Sequence, residues 1–367
     1  MRISSKQLFW MIATMQVSMT ILLTIHPALI AAKQDSWLSM LSATLIGMFI
    51  AFICTRINRK YPGQTLVTYL PQLVGKWMAG FLFVIYGAFW FVVLAMVLLQ
   101  YADFILATIL PQTPIFVPVV AMLLVAVYVT RIGIEGIGRC SEVLGPFLLI
   151  IIILSLLLSI QDIQLKHILP FYVDSGWKVI LKGSLPTSTF LGDCVMLVFL
   201  LAFLNHPDEG TKPAVFGVAT TGLLTSAATF VLVTLFGSQM AAGQTYPFFN
   251  LVRYISVYNF FQNLDAILIP IWIIGVFMKV SLYLFVCTYG TAQVFNVAKW
   301  RRMLWIVTPI ILLIAMLPRS YFDSSVFFPQ KIAVPYIFPI HMLGVPLLLW
   351  GISSLKNKKN RDAHPQV

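Results

Sequence analysis

Hydrophobic residues in this 367-residue chain fall in long unbroken blocks, separated by short polar stretches that are rich in Lys and Arg. A helix needs about 20 mostly apolar residues to cross the hydrocarbon core of a bilayer. Runs of that kind lie at roughly 9–32, 37–55, 80–103, 115–130, 142–160, 186–205, 213–236, 264–290, 303–318 and 334–354. The blocks are continuous rather than alternating, which excludes a transmembrane barrel. The pattern predicts an all-α polytopic membrane protein with ten transmembrane helices in one domain spanning 1–367, its last residues, 355–367, forming a basic cytoplasmic tail.

Composition narrows the class further. Hydrophobic residues make up 60% of the chain and charged residues only 10%, against roughly 25% charged in soluble domains. Too little charge is present to coat a soluble globule, so a soluble enzyme and a disordered tail are excluded. The net charge of +12 does not indicate a nucleic-acid partner, because the basic residues sit in short clusters between apolar runs rather than on one exposed patch. Their placement sets orientation instead. With the N-terminus inside, sixteen of the 24 Lys and Arg residues fall in inner segments and seven in outer ones, while Lys279 lies within a span. Both termini are therefore expected in the cytoplasm. The first run follows Arg2 and Lys6 as a signal peptide would, but it exceeds 20 residues and nine more spans follow it, so it reads as a retained helix.

Between spans two and three, Tyr61–Lys76 is too polar to cross and too apolar to float free, and reads as an amphipathic segment along the inner interface. Two longer outer segments, about 161–185 and 237–263, carry Trp177, Tyr246, Tyr254 and Tyr258 at the expected headgroup level. Cys54, Cys140, Cys194 and Cys287 are scattered without a CxxC or a neighbouring His, so no metal site, disulfide framework or cofactor is expected. No HExxH, GxSxG or phosphate-binding loop occurs, and nothing reads as an enzyme.

Ten spans divide into a first repeat over about 8–160 and a second over about 186–354, with 161–185 as the outer connection. Five spans per half make the second repeat inverted relative to the first, the plan of many secondary transporters, in which the first helix of each half is broken and the ligand sits where the breaks meet. Span one carries Thr14, Gln16, Ser18, Thr20, Thr24, His26 and Pro27, and span six carries Pro186, Thr187, Ser188, Thr189, Gly192 and Asp193. A break frees backbone groups that cannot stay unpaired in lipid, and hydroxyls or a bound ligand can pair with them. The alternative is that these hydroxyls simply bond back to their own helices.

Two charges lie inside spans, Asp193 in span six and Lys279 in span eight, each costing roughly 2.5–3.5 kcal/mol at a helix centre. Residues 272, 276, 279, 283, 286 and 290 share one helical face, which carries Trp272, Lys279 and Tyr283 and is expected to point into the bundle. Lys279 can replace a bound cation, pair with Asp193, bind a ligand carboxylate or couple to protons. A structural ion pair is the competing reading, whereas snorkelling is excluded because about 11 Å of helix separate it from the nearer end. Asp103 closes span three and is expected to line an outer vestibule, while Glu142 and Asp265 lie near span ends. His26 reads as a helix-break residue beside Pro27.

The stretches AAKQDSWLS at 31–39, YPGQTL at 61–66, ILPF…GW…LKGSLP over 168–186, FFNLVRYISV at 248–257, LDAILIPIWIIGVFMKVSLYLF at 264–285 and FFPQ at 327–330 resemble one family, in this order and spacing. These are the B subunits of the GerA-type spore germinant receptors, relatives of amino-acid permeases. The resemblance implies a LeuT-like fold of the APC superfamily with broken helices 1 and 6. It also implies partnership with a larger A subunit and a lipoprotein C subunit in the inner membrane of a bacterial spore, and a role in sensing a small nutrient, an amino acid in many relatives. Such permeases usually place glycine at the break of span one, whereas this chain has none before Gly47, and Ser18 and Thr20 occupy that neighbourhood. The expected ligand-binding residues are Ser18, Thr20, Thr187, Ser188, Thr189, Asp193 and Tyr283, between spans one, three, six and eight, with Asp193, Lys279 and Asp103 as coupling charges. The alternatives to a sensor are a proton-coupled amino-acid transporter and an assembly scaffold with a vestigial pocket.

Overall fold

The computed structural model describes residues 1–170, 172, 175–255, 265–318 and 320–363. Seven helical stretches among them are long and apolar enough to cross a membrane, and Phe116–Ile132 is a shorter apolar helix. Two further helices, α1 (Ser5–Leu23) and the short α13 (Leu304–Ala315), complete the set along the chain.

Span one consists of α1, started by a Ser4–Gln7 capping box, and α2 (Ile25–Ala32), with the interruption at Thr24. A turn at Lys33–Asp35 reverses the chain into α3 (Ser36–Asn58), the second span. The short α4 (Leu66–Val74) buries Leu66, Tyr69, Leu70 and Leu73 on one side, so the segment after span two is an amphipathic helix as its sequence suggests. Three spans follow, α5 (Lys76–Thr108), α6 (Phe116–Ile132) and α7 (Ile134–Leu158).

The second half opens with α8 (Gly176–Leu191), which begins ten residues before the expected start at 186. Lys178 and Lys182 made this stretch read as a loop, but both are exposed on the outer side of an amphipathic turn whose inner side buries Ile180, Gly183, Ser184 and Thr187. Trp177 therefore lies in the helix, 57% exposed, rather than in a connecting segment. Past Leu191 the winding tightens over Gly192–Met196, returns to α in α9 (Leu197–Leu200) and tightens again over Leu201–Phe203. Then come α10 (Thr211–Ala242), α11 (Pro247–Tyr254) and α12 (Asp265–Val294). Tyr258 lies outside the described residues, as does the Asp265 side chain. The last span also starts early: a wide helix of i→i+5 winding runs from Phe322 to Gly344 and continues as α14 (Val345–Ala363). Pro329, Pro335 and Pro339 lie inside it. Proline removes an N–H and clashes with the carbonyl four residues back in an α-helix, but 322–333 reads from sequence as a connection because Asp323, Ser324, Ser325, Gln330 and Lys331 make it polar.

The packing follows the two halves. Spans one and two (α1–α3) interlock with spans six and seven (α8, α10), while α5 and α6 pack with α12 and α13. Each group thus takes equivalent helices from both halves, as an inverted repeat requires. Within lipid, close approach and interhelical hydrogen bonds replace the hydrophobic drive. Gly222 of α10 illustrates this, since a Cβ there would collide with the Thr44 side chain of α3.

Candidate functional site

The hydroxyls of span one divide by what they bond. Thr14, Thr20 and Thr24 each donate to the carbonyl four residues back, at 2.7, 2.7 and 2.8 Å. Such bonds consume the hydroxyl without opening the helix, and α1 stays regular past Ser18 and Thr20. Its interruption comes at Thr24, where Pro27 supplies no N–H to the carbonyl of Leu23. His26 follows the interruption and is half-buried.

Span six is opened more deeply, and its carbonyls are answered from other helices. Gln16 Nε2 donates to the Leu191 carbonyl at 2.7 Å, Asn58 Nδ2 to that of Leu197 at 3.4 Å, and the Tyr69 hydroxyl to that of Val198 at 3.4 Å. Three side chains from α1, α3 and α4 thereby add donors to carbonyls around the tightened winding, that of Leu197 also accepting from the Leu201 N–H within the helix.

The tightened turn holds Asp193 at the centre of the bundle. Lys279 Nζ lies 2.5 Å from Asp193 Oδ2, and the Tyr283 hydroxyl donates to Asp193 Oδ1 at 2.7 Å. Lys279 and Asp193 are only 1% and 5% exposed at their side chains. The ammonium also lies 5.1 Å from the centre of the Phe190 ring, a cation–π contact that adds to the pairing. Trp272, Val276, Lys279, Tyr283, Val286 and Gly290 are all buried, so the face of span eight deduced from periodicity does point inward.

Beside this cluster is a small cavity of about 40 Å³, lined by Val93, Met96 and Gln100 of α5, Thr189 and Phe190 of α8, and Phe328, Ala333 and Met342 of the last span. A water needs about 10–15 Å³ by this measure, so the cavity takes a few waters and no amino acid. Its walls come from spans three, six, eight and ten, whereas the expected site lay between one, three, six and eight. Met342 and Ile337 of the expected span ten line it, and the early start of that span adds Phe328, Pro329 and Ala333.

The remaining expected residues are dispersed. Ser18 lines a separate cavity of about 20 Å³ with Phe104, Phe249 and Trp272. Its carbonyl accepts from Trp272 Nε1 at 3.0 Å, while its hydroxyl is buried without a partner. The Thr20 hydroxyl is occupied by Gln16, as described above. Thr187 donates to Met40 Sδ at 3.0 Å and Thr189 to the Leu185 carbonyl at 2.9 Å, and the Ser188 hydroxyl is buried and unpartnered. Of the seven ligand candidates, Asp193 and Tyr283 meet directly, and Thr189 shares their cavity wall.

Asp103 lies at a different place, at the mouth of an open cavity of about 470 Å³ with Tyr246, Phe249, Asn250, Arg253 and Tyr321. Ser324 and Ser325 donate to its Oδ2 at 2.6 and 3.5 Å. One turn earlier on α5, Gln100 Nε2 donates to the Ser324 carbonyl at 3.1 Å. Burial, foremost, holds the phenols of Tyr246 and Tyr321 above their ordinary value, and the negative charge of Asp103 adds to the effect at both. Gln100, Ser324 and Phe190 were not singled out from sequence. Gln100 was recoverable as the only other strongly polar side chain one turn from Asp103, but Ser324 lay in a stretch that read as a connection. Among the described residues, no three His, Cys, Asp or Glu side chains group as metal ligands would.

Residues 2–324 match the family described as spore germination protein. The chain belongs to that family. Spore germination protein KB of Bacillus subtilis (strain 168) is 25% identical over 368 residues, covering 99% of this chain and 97% of that protein. Spore germination protein XB of Bacillus anthracis is 24% identical, covering 89% of this chain and 90% of its own length. Among solved structures, a Na+-coupled sialic acid symporter in a substrate-bound outward-open state superposes with a TM-score of 0.61 at 13% identity, covering 96% of this chain and 78% of that one. The nucleobase-cation-symport transporter Mhp1 in a closed conformation gives 0.50 at 15% identity over 87% of this chain and 73% of that one. At such identities the likeness shows the fold, which is LeuT-like with ten helices. Within this spore germination protein, the stretch 264–285 that carries most of the family resemblance also supplies Trp272, Lys279 and Tyr283 to the bundle interior.

Proposed function

We propose that this chain is the nutrient-sensing membrane subunit of a spore germinant receptor. It acts with an A subunit and a lipoprotein C subunit in the inner membrane of the spore, with both termini in the cytoplasm. In this reading the repeats are about 8–160 and 176–354, the second opening with α8 rather than at 186, with the outer connection between them, and the basic tail 355–367 lies inside. The observation that carries it is the buried Asp193–Lys279–Tyr283 cluster on the tightened turn of span six. A buried ion pair in hydrocarbon is costly and is weak evidence for stability alone, yet it supplies both charges that a zwitterionic amino acid can exchange with. The cavity beside it is too small for such a ligand. Binding therefore selects a more open arrangement of spans three and ten, and only a ligand with higher affinity for that arrangement shifts the balance. Membrane lipid surrounds the bundle, and the role involves no cofactor, metal, nucleic acid or catalysis.

The test is germination of spores lacking only this chain, scored against single amino acids, sugars and nucleosides, alongside spores carrying Asp193→Asn at normal protein level. Loss of response to one nutrient class is expected in both. An unchanged response across the panel would overturn the sensor reading. A proton-coupled amino-acid transporter is the second reading, supported by the symporter fold and by the proton-exchanging chemistry of a buried Asp–Lys pair. Sustained uptake by the isolated chain in proteoliposomes would establish it.

A further inference from the structure

The open cavity at the outer end of α5 has a chemical character distinct from that of the central cluster. Its acid, Asp103, is half-buried and directs its two oxygens differently. The hydroxyls of Ser324 and Ser325 reach Oδ2, and no hydrogen bond or ion pair among the described residues reaches Oδ1. Around it stand the rings of Tyr246 and Tyr321, while Arg253 lines the same cavity with its guanidinium 5.7 Å from the centre of the Phe249 ring. Tyr246 is fixed edge-on to Phe104 at 5.0 Å, whereas Tyr321 is 39% exposed at the rim. A carboxylate oxygen with an open lone pair, set among aromatic faces, complements an ammonium. The acid offers a charge-assisted hydrogen bond and the rings attract the cation through their quadrupoles. One carboxylate without further acidic ligands is a poor fit to a divalent cation, which takes six or more oxygens. At about 470 Å³ the space accommodates a small solute in the present conformation, which the central cavity does not.

We propose that this vestibule is an amine-recognition site, in which Asp103 Oδ1 and the rings of Tyr246 and Tyr321 hold the ammonium of a small primary amine or amino acid, away from Arg253 on Phe249. Its sidedness, and its place as the first station of a nutrient, rest on the sensor reading above. The vestibule shares a wall with the central cavity. Gln100 lines that cavity and holds the Ser324 carbonyl, and Ser324 in turn holds Asp103. An amine at Oδ1 thus sits on the same carboxylate that holds Ser324 at Oδ2, at the contact between span three and the last span, the arrangement that must open before anything larger than water reaches Lys279.

The probe is isopentylamine, with 4-methylpentanoate as the matched acid, applied to the full chain in lipid nanodiscs. Asn250 lines the same cavity, so Asn250→Cys, in a Cys140→Ser background, reports occupancy through its rate of reaction with a membrane-impermeant maleimide. Cys54, Cys194 and Cys287 are buried. Isopentylamine is expected to slow labelling at least fivefold at saturation, 4-methylpentanoate to leave it unchanged, and Asp103→Asn to abolish the protection. Because Asp103→Asn can disturb folding, Tyr321→Leu at the exposed rim provides a second variant, expected to raise the half-protecting amine concentration severalfold with the carboxylate intact. Equal protection by the acid, or undiminished protection in both variants, would overturn the proposal. The readout involves no germination, so failure of the sensor reading leaves it standing, and Asp193→Asn should keep the amine protection even where it abolishes the nutrient response.

Discussion

Spans one and six begin the two halves of the molecule, and both are dense in hydroxyls, yet they respond differently. In span one, Thr14, Thr20 and Thr24 bond their own carbonyls, and the helix runs intact to Leu23. In span six the winding tightens at Gly192, and the carbonyls nearby take donors from three other elements. Hydroxyl content therefore does not open a membrane helix. The tightened winding of span six is instead accompanied by donors from elsewhere, of which Gln16 of span one is the nearest at 2.7 Å. The more regular helix thus donates to the tightened one, and the tightened turn is the one that presents Asp193 to Lys279.

The largest test of this contrast removes a single charge. Lys279→Met or Asp193→Asn alone leaves the partner buried without its counterion or with a weakened one, and the lysine variant is expected to cost about 3–5 kcal/mol. The double variant Asp193→Leu with Lys279→Met should recover most of that stability in chemical unfolding of the purified chain while nutrient response stays lost. Absence of recovery would mean that the pair also maintains the tightened turn. Next in size is Gly275→Ala, about 1–3 kcal/mol, because its new methyl would overlap the Ser18 hydroxyl of span one. Adding Ser18→Gly should restore part of that loss in the same unfolding measurement. Then comes Gln16→Leu, which removes the buried side-chain donor to the Leu191 carbonyl and is expected to cost about 1–1.5 kcal/mol. Faster hydrogen exchange at 192–196, with α1 unchanged, would locate the loss in span six. Smallest is Thr20→Val. The Gln16 carbonyl that it bonds keeps its helical N–H partner, so the change is expected to be about 0.5–1 kcal/mol with an unchanged exchange pattern. A larger effect would show that the span-one hydroxyls do more than bond back.

Run length, charge content and period already determined much of this protein. Ten apolar blocks, too little charge for a soluble surface and the span-eight spacing that places Lys279 and Tyr283 on one face were all legible, because each depends on local spacing alone. The motif order at 248–285 pointed to the family that the match over 2–324 establishes. Tertiary structure decided the rest. The starts of α8 at Gly176 and of the last span at Phe322 were hidden, since lysines at a helix end and polar residues within a run are both read as breaks until neighbouring helices show where the backbone is satisfied. Which hydroxyls face the centre was equally hidden, and Ser18 and Asp193 line separate cavities although both sit on first-of-half helices. Asp193 meeting Lys279 and Tyr283, across 86 and 90 positions of sequence, is a property of helix packing. No spacing encodes it, because a buried charge specifies that it needs a partner but only the packed bundle determines which partner is within reach.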